Sequence, residues 1–162
     1  MNFEGVMNRE NVDLSSVDAP MFLLGALSAF DNRYQAKADN FFKEISWKQF
    51  FAIICINLCK ASPTVKELAE IMGSSHQNVK QILLKLEKKG FVHILEDEYD
   101  RRKQRIVLAE KTRVFCEEHE EGSSKVIGSI FQGIEMNQLM VTIETIMKME
   151  NNLKNLEDFE NE

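Results

Sequence analysis

Side chains with amide or amino groups are concentrated between positions 76 and 88. Apolar residues recur there every three or four positions, and the residues between them are hydrogen-bond donors with little bulk. These donors are Gln77, Asn78, Lys80, Gln81, Lys85 and Lys88. An amide can form paired hydrogen bonds with an adenine edge, and a lysine can reach guanine or phosphate. A solvated amphipathic helix shows the same pattern, so the neighbouring elements must decide between the two interpretations.

A short helix is predicted immediately before this stretch. Thr64 and Glu67 form a capping box, in which each side chain satisfies a backbone donor at the start of a helix. Apolar residues follow at helical spacing, and Gly73 favours the end of the helix. The sequence therefore predicts a helix of about three turns.

The donors themselves lie on a second predicted helix. Either Ser74 with Gln77 or Ser75 with Asn78 can cap its start, and Gly90 favours its end. Its apolar face comprises Val79, Ile82, Leu83 and Leu86. Two helices thus meet across a tight turn, which is typical of a helix-turn-helix whose second helix enters the major groove of DNA.

A charged β-hairpin is predicted directly after the second helix. Residues 91–95 and 104–108 have the composition of strands, and an acidic and basic loop joins them. Asp100 is close enough in sequence to hold an arginine, either Arg101 or Arg102, by a charge-assisted hydrogen bond. The basic tip can contact the minor groove or flanking phosphates, which is the role of a wing. Its basic residues are Arg101, Arg102 and Lys103.

These elements resemble the MarR family of bacterial transcription regulators. That family has a Leu-Glu-x-x-Gly-hydrophobic-Val run, which matches residues 86–92, and an Asp-x-Arg signature in the wing, which matches residues 100–102. The resemblance extends upstream to residues 46–50 and downstream to Glu135. The chain departs from the family pattern at Ile94, where many members have arginine, and at Ala109 and Thr112.

The resemblance implies a winged helix-turn-helix regulator, mainly α with a small β-hairpin wing, flanked by N- and C-terminal dimerisation helices. It implies a homodimeric, sequence-specific DNA-binding protein, most often a repressor, with a palindromic operator of double-stranded DNA. We expect bases to be contacted by Gln77, Asn78, Lys80 and Gln81. We expect the remaining DNA contacts from Ser75, His76, Lys85, Arg101, Arg102 and Lys103.

Length and composition favour a single compact domain. The chain has 162 residues, of which 44% are hydrophobic. We divide it into an N-terminal helix contributing to dimerisation (1–45), a winged helix-turn-helix (46–109) and C-terminal dimerisation helices (110–162). The sequence has no signal peptide and no run of membrane-spanning length, so we expect a cytoplasmic protein without a membrane partner.

Charge is unevenly distributed along the chain. The net charge is −6, but from His76 to Arg105 eight Lys or Arg residues stand against five Asp or Glu. From Glu110 to Glu162 five basic residues stand against twelve acidic ones. Positive charge is therefore concentrated on the proposed DNA-binding region, and the acidic remainder would help to orient docking.

Apolar stripes outside this region predict further helices. Pro20 opens an amphipathic helix that continues toward Phe42, and Ser46 with Gln49 forms a capping box before a helix that is apolar almost all round, through Leu58. We expect this last helix to be the buried centre. The C-terminal stripes comprise Val114, Phe115, Ile127, Ile130, Phe131, Ile134, Met136, Leu139, Ile143, Ile146 and Leu153. We interpret them as a homodimer interface; the alternative is an intramolecular bundle.

A small-molecule site and a thiol or metal site are the remaining hypotheses. Many MarR relatives release DNA when a small phenolic or aromatic anion binds between the dimerisation helices and the DNA-binding region. Aromatic candidates for such a site are Phe30, Tyr34, Trp47 and Phe51, whose other interpretation is ordinary core packing.

Three cysteines, an odd number, suit a reducing compartment better than a disulfide framework. Cys55 and Cys59 are more typical of small buried residues than of a redox sensor, and Cys116 with His119 offers only two metal ligands. We therefore predict no cofactor and no bound metal, and a thiol- or metal-sensing regulator of the same fold stays as an alternative. No catalytic motif is present, so we do not expect an enzyme. The other rival is a winged helix that contacts proteins.

Overall fold

The computed structural model describes residues 17–97, 99–100 and 102–156, which form helices and one hairpin. The elements are α1 (Ala19–Phe42), α2 (Trp47–Leu58), α3 (Val65–Ile71), α4 (His76–Lys88), β1 (Val92–Glu96), β2 (Gln104–Leu108), α5 (Glu110–Ile130) and α6 (Met136–Lys154). The mainly helical fold with a two-stranded hairpin, predicted from the sequence, is confirmed.

The chain divides into two compact units. The first contains the described residues up to Glu117, and the second contains those from Glu118 onward. The first unit holds α1 to α4, the hairpin and the first turns of α5. The second unit holds the rest of α5 and α6.

Local side-chain hydrogen bonds set the starts of the first helices. The Oδ1 atom of Asp18 accepts a hydrogen bond from the backbone N–H of Met21 at 2.8 Å, which caps α1. The predicted capping box of Ser46 and Gln49 is present at α2. The box of Thr64 with the carboxylate of Glu67 is present at α3. Each box satisfies backbone N–H groups that have no partner inside the helix.

The core of the first unit lies between α2, α3, α4 and the hairpin. The predicted apolar residues Ile53, Cys55 and Ile56 of α2 are buried there. Leu58, which the prediction counted with them, is 75% exposed. Leu58 is the last residue of α2 and lies on the side of the helix away from Ile53 and Ile56. Residues 49–56 are all buried or half-buried, so the exposed positions of α2 lie at its two ends.

The hairpin pairs β1 and β2 in antiparallel register, with Val92 opposite Leu108 and Glu96 opposite Gln104. The first strand begins one residue later than predicted because Phe91 makes other hydrogen bonds. The backbone N–H of Phe91 donates to the carbonyl of Leu86, and its own carbonyl accepts from the N–H of Ala109. Phe91 is thus a buried junction between α4, the hairpin and α5 rather than part of the ladder.

The terminal helices bury little apolar surface within one chain. The only described residue of α1 that is buried is Phe42, and none of α6 is buried. Large exposed apolar side chains of α6 include Met136, Met140, Val141, Ile143, Ile146, Met147 and Leu153. Within the described part of the chain, no helix combines the length and the apolar character needed to cross a membrane.

Candidate nucleic-acid interface

Helix α4 presents two opposite faces, one apolar and one polar. Its inner face is buried and consists of Val79, Ile82, Leu83 and Leu86. On the opposite face Gln77, Gln81 and Lys88 are exposed, together with Leu84. Because a helix turns about 100° per residue, these four positions share one side. Amide donors on an exposed helix face have the chemistry required to contact base edges.

Two serines that precede α4 form hydrogen bonds at its start. The Oγ atom of Ser75 accepts a hydrogen bond from the backbone N–H of Asn78 at 3.2 Å, so the second of the two predicted registers is the one present. The side-chain amide of Asn78 donates to Ser74 Oγ at 2.8 Å. No acidic residue lies in the first turn, and Lys85 and Lys88 lie in the last. The uncompensated positive end of the helix dipole therefore favours an approaching phosphate.

A basic groove of about 590 Å³ lies between α3, α4 and the hairpin. We call it the wing groove. His76 and Lys80 border it from α4, so these two predicted contact residues lie beside the wing rather than on the outer face. The cations around it are Lys66, Lys80, Arg102, Lys103 and Arg105, opposed by the carboxylates of Glu67 and Glu70. This excess of positive charge is suited to binding the phosphate backbone of a nucleic acid.

At the wing tip, Asp100 holds Arg102. The Nε atom of Arg102 donates to Asp100 Oδ1 at 3.0 Å, and Nη2 donates to Oδ2 at 3.3 Å. The sequence predicted such a charge-assisted bond to Arg101 or Arg102; the bond to Arg102 lowers the pKa of the Asp100 carboxyl. The Arg102 side chain is nevertheless 91% exposed, so it is oriented without being covered. Arg101, also predicted to contact DNA, lies outside the described residues.

We expect Arg102→Ala to weaken DNA binding about tenfold and to flatten its salt dependence. Each lost phosphate contact reduces the slope of log K against log salt by about 1, and a dimer would lose two. Fluorescence anisotropy over a salt series measures both quantities. Lys125→Ala, which removes the same charge from an exposed site on α5, is the matched control. An unchanged slope in the Arg102 variant would contradict a phosphate contact.

The base of the wing is held by a network that sequence reasoning did not find. The Nε atom of Arg105 donates to Asp97 Oδ2 at 2.5 Å, and its Nη1 donates to the carbonyl of Ser62 at 3.0 Å. The other carboxylate oxygen of Asp97 accepts the backbone N–H groups of Tyr99 and Asp100, both at 2.9 Å. Arg105 thereby ties the wing loop to the segment that precedes α3.

Asp97 is buried, and the hydrogen bond from Arg105 is the main reason why its pKa falls to about 2. The backbone hydrogen bonds from Asp100 and Tyr99 lower it further. Because this folded-state value lies below the ordinary value of 3.8, Asp97 stabilises the fold above about pH 4. That stabilisation is lost as the pH falls toward 2.

We therefore expect Asp97→Asn to unfold at a lower urea concentration than the wild type at pH 7. The difference between the urea concentrations at which the two proteins unfold should narrow as the pH falls from about 4 to about 2. The asparagine oxygen can still accept the backbone bonds, but its amide group faces the Arg105 donor. Urea titrations of both proteins at several pH values measure this difference. A difference that stays constant over this range would contradict the role given to the carboxylate.

Ile94 occupies the position where many MarR members have arginine, and its side chain is partly buried against the core. Its backbone N–H donates to Glu87 Oε1 at 3.0 Å. The residue therefore joins the end of α4 to β1. It does so by packing and a backbone bond, and it supplies no positive charge for DNA.

A second cavity, of about 420 Å³, lies on the other side of α4, between α1 and α2. We call it the aromatic cavity. Tyr34, Trp47 and Phe51 line it, and the rings of Tyr34 and Trp47 meet edge to face with centroids 4.6 Å apart. Phe30 stacks on Tyr34, with centroids 6.1 Å apart, but does not line the cavity. Burial raises the pKa of the Tyr34 hydroxyl.

The aromatic cavity also borders the start of α4, which we call the recognition helix. Gly73, Ser74 and Asn78 form part of its wall, and Asp31 and Lys48 supply opposite charges. Asn78, predicted to contact bases, therefore lies on the cavity side of the helix. Lys85, two turns later, is exposed on the same side.

The thiols have the surroundings of packed side chains. Cys55 is buried, and this burial, with a smaller effect of Cys59, raises the pKa of its thiol. Burial also raises the pKa of Cys116. A raised pKa leaves less of the reactive thiolate. Among the described residues, no group of three or more His, Cys, Asp or Glu side chains is placed to hold a metal ion.

A helix-turn-helix followed by an antiparallel hairpin defines the class of winged helix-turn-helix proteins. The MarR family model matches residues 45–103, which span α2 to the wing tip. This segment is therefore a MarR-family domain, and the sequence-based recognition is confirmed.

Solved structures of the same fold cover most of the chain. A MarR protein from Peptoclostridium difficile has a TM-score of 0.77 at 19% identity, over 91% of this chain and 95% of that one. Streptococcus pneumoniae FabT in complex with DNA has a TM-score of 0.62 at 22% identity, over 86% of this chain and all (100%) of that one. The organohalide-sensing regulator RdhR bound to 2,4-dichlorophenol has a TM-score of 0.75 at 17% identity, over 89% of this chain and 86% of that one. These similarities establish the fold.

Proposed function

We propose that this chain is a homodimeric, sequence-specific DNA-binding regulator that represses transcription and is released by a small aromatic or phenolic compound. The observation that carries the proposal is the exposed polar face of the recognition helix beside a wing whose arginine is already oriented. Gln77 and Gln81 would contact bases, and Arg102 with Lys103 would contact the backbone. The complex of FabT with DNA supports this use of the fold.

Dimerisation is supported by the apolar surface that a single chain leaves exposed. A helix of 19 residues with no buried side chain, as in α6, needs a partner to cover it. We propose that α1 and the helices from residue 110 onward supply a twofold interface. Twofold symmetry would place two recognition helices about 34 Å apart, one turn of DNA. The operator would then be a palindrome.

Selection from a pool of random DNA duplexes tests the proposed function without knowledge of the natural operator. We expect enrichment of a palindrome whose half-sites are centred about 10 base pairs, or a multiple of that, apart. A pool that shows no enriched sequence after repeated rounds would contradict sequence-specific binding. It would favour the alternative, a winged helix that contacts proteins.

The aromatic cavity is the proposed effector site. Its aromatic side can pack against a ring, while Lys48 can meet a carboxylate or phenolate. An effector there would lie against Ser74 and Asn78 at the start of the recognition helix. Such an effector would move that helix and would thereby change the distance between the two recognition helices of the dimer. The phenol-bound form of RdhR supports the class of ligand.

The chain contains one tryptophan, Trp47, which lines the aromatic cavity and can report binding. We expect 2,4-dichlorophenol or benzoate to quench its fluorescence saturably and to release bound DNA over the same concentration range. Tyr34→Leu, which removes the ring in contact with Trp47, should weaken both effects together. Unchanged fluorescence and unchanged DNA binding at millimolar concentrations of both probes would contradict this site.

A further inference from the structure

The outer face of the recognition helix carries one large apolar side chain among polar ones. Leu84 is 43% exposed and lies between Gln81 and Lys88 along that face. The inner face of the helix is complete without it, because Leu83 and Leu86 are fully buried there. Leu84 is rotated about 100° from Leu83 and cannot join the same core. Neither the fold nor the effector cavity explains its position.

We infer that Leu84 recognises the methyl group of a thymine in each half-site of the operator. The inference rests on the proposed function, since it requires this face to enter the major groove. Thymine is the only DNA base with a methyl group in that groove, and apolar side chains contact it. Lysine or glutamine at this position would be equally soluble but would not favour thymine. Leu84 therefore adds a sequence preference that the amides cannot supply.

The position of Leu84 also predicts where this thymine lies. Leu84 follows Gln81 by three residues, which is about 4.5 Å along the helix axis. Successive base pairs are about 3.4 Å apart. The thymine should thus lie about one base pair beyond the base that Gln81 contacts, on the side toward Lys88. Gln77, one turn before Gln81, would contact the opposite end of the half-site.

Deoxyuridine substitution tests the inference, because it removes only the methyl group. Each thymine of the selected operator is replaced in turn, symmetrically in both half-sites, and affinity is measured for the wild type and for Leu84→Ala. We expect one position at which the wild type loses about tenfold in affinity. The loss of each methyl group should cost about three- to fourfold, and two methyl groups are removed, one in each half-site. Leu84→Ala should bind the thymine operator more weakly by a similar factor and should not respond to deoxyuridine at that position.

Lys88→Ala, on the same exposed face, is the matched control. It should lose salt-dependent affinity but keep the deoxyuridine effect, and thermal melts should show that both variants are folded. Suppose that the wild type binds its selected operator tightly, but that each deoxyuridine substitution changes the affinity of the wild type and of Leu84→Ala by the same factor. The inference is then overturned while the proposed function stands. If Leu84→Ala leaves DNA affinity unchanged, the inference is again overturned. If the wild type selects no DNA, the inference and the proposed function fail together.

Discussion

Replacing Ile143 and Ile146 with glutamate should convert the protein to a monomer and reduce operator affinity at least a hundredfold. Both side chains are exposed on α6, one turn apart, within its apolar surface. Charges buried there without partners would oppose association. A dimer binds its second half-site at a high effective concentration, and a monomer loses that advantage. The loss should therefore be large although no residue near DNA has changed.

Light scattering coupled to size exclusion measures the oligomeric state, and anisotropy measures affinity. Asn151→Glu with Asn152→Glu is the matched control, because it adds the same two charges to exposed polar positions of α6. The control should remain a dimer with nearly unchanged affinity. A dimeric Ile143 and Ile146 variant that still binds DNA tightly would place the interface elsewhere. A wild type that is itself monomeric would contradict the proposed assembly.

The second large effect is expected at Phe91, where Phe91→Ala should lower the free energy of unfolding by about 3–5 kcal/mol. The ring is fully buried and meets that of Phe115 edge to face, with centroids 5.2 Å apart. The amino group of Lys111 lies 4.5 Å above it. The carbonyl of Phe91 also accepts a hydrogen bond from the hydroxyl of Thr112. Truncation would leave a cavity where the recognition helix, the hairpin and α5 meet.

Urea unfolding followed by circular dichroism, at one fixed protein concentration, measures this loss. Phe91→Leu is the conservative control and should cost about 1 kcal/mol, since it keeps most of the apolar volume. Operator affinity of the alanine variant should fall even where it remains folded, because the wing loses its attachment to the helix. A loss below about 1 kcal/mol for alanine would show that the junction does not depend on this ring.

Features that depend on neighbouring residues were predicted well from the sequence. The capping boxes at Ser46 and Thr64 involve residues three positions apart, and the bond between Asp100 and Arg102 spans two. Backbone geometry over such short distances follows from residue type. Gly73 and Gly90 have φ values of 59° and 77°, left-handed conformations that favour glycine, at the predicted helix ends.

Several features that depend on tertiary packing were not predicted. Arg105 binds the carbonyl of Ser62, which lies 43 positions earlier, and nothing in the local sequence indicates that pair. Periodicity separated the apolar from the polar side of the recognition helix. It did not show that Asn78 borders the aromatic cavity or that Lys80 borders the wing groove. These assignments require the positions of α1 and of the hairpin.

Leu84 shows what each source contributes. Helical periodicity already places Leu83 on the apolar face and Leu84 about 100° away from it. The packed structure adds that Leu83 is fully buried and that Leu84 remains 43% exposed among polar side chains. The measured exposure of an apolar side chain on a polar face is the information that the structure adds to hydrophobic patterning.

The central claim, sequence-specific DNA binding, is tested most directly by fluorescence anisotropy of the wild-type protein with its selected operator and with a shuffled duplex of the same composition. Both titrations are repeated over a salt series. We predict at least about a thousandfold preference for the operator, with affinity for both duplexes falling steeply as salt increases. Equal and weak binding to the two duplexes at every salt concentration would contradict the account.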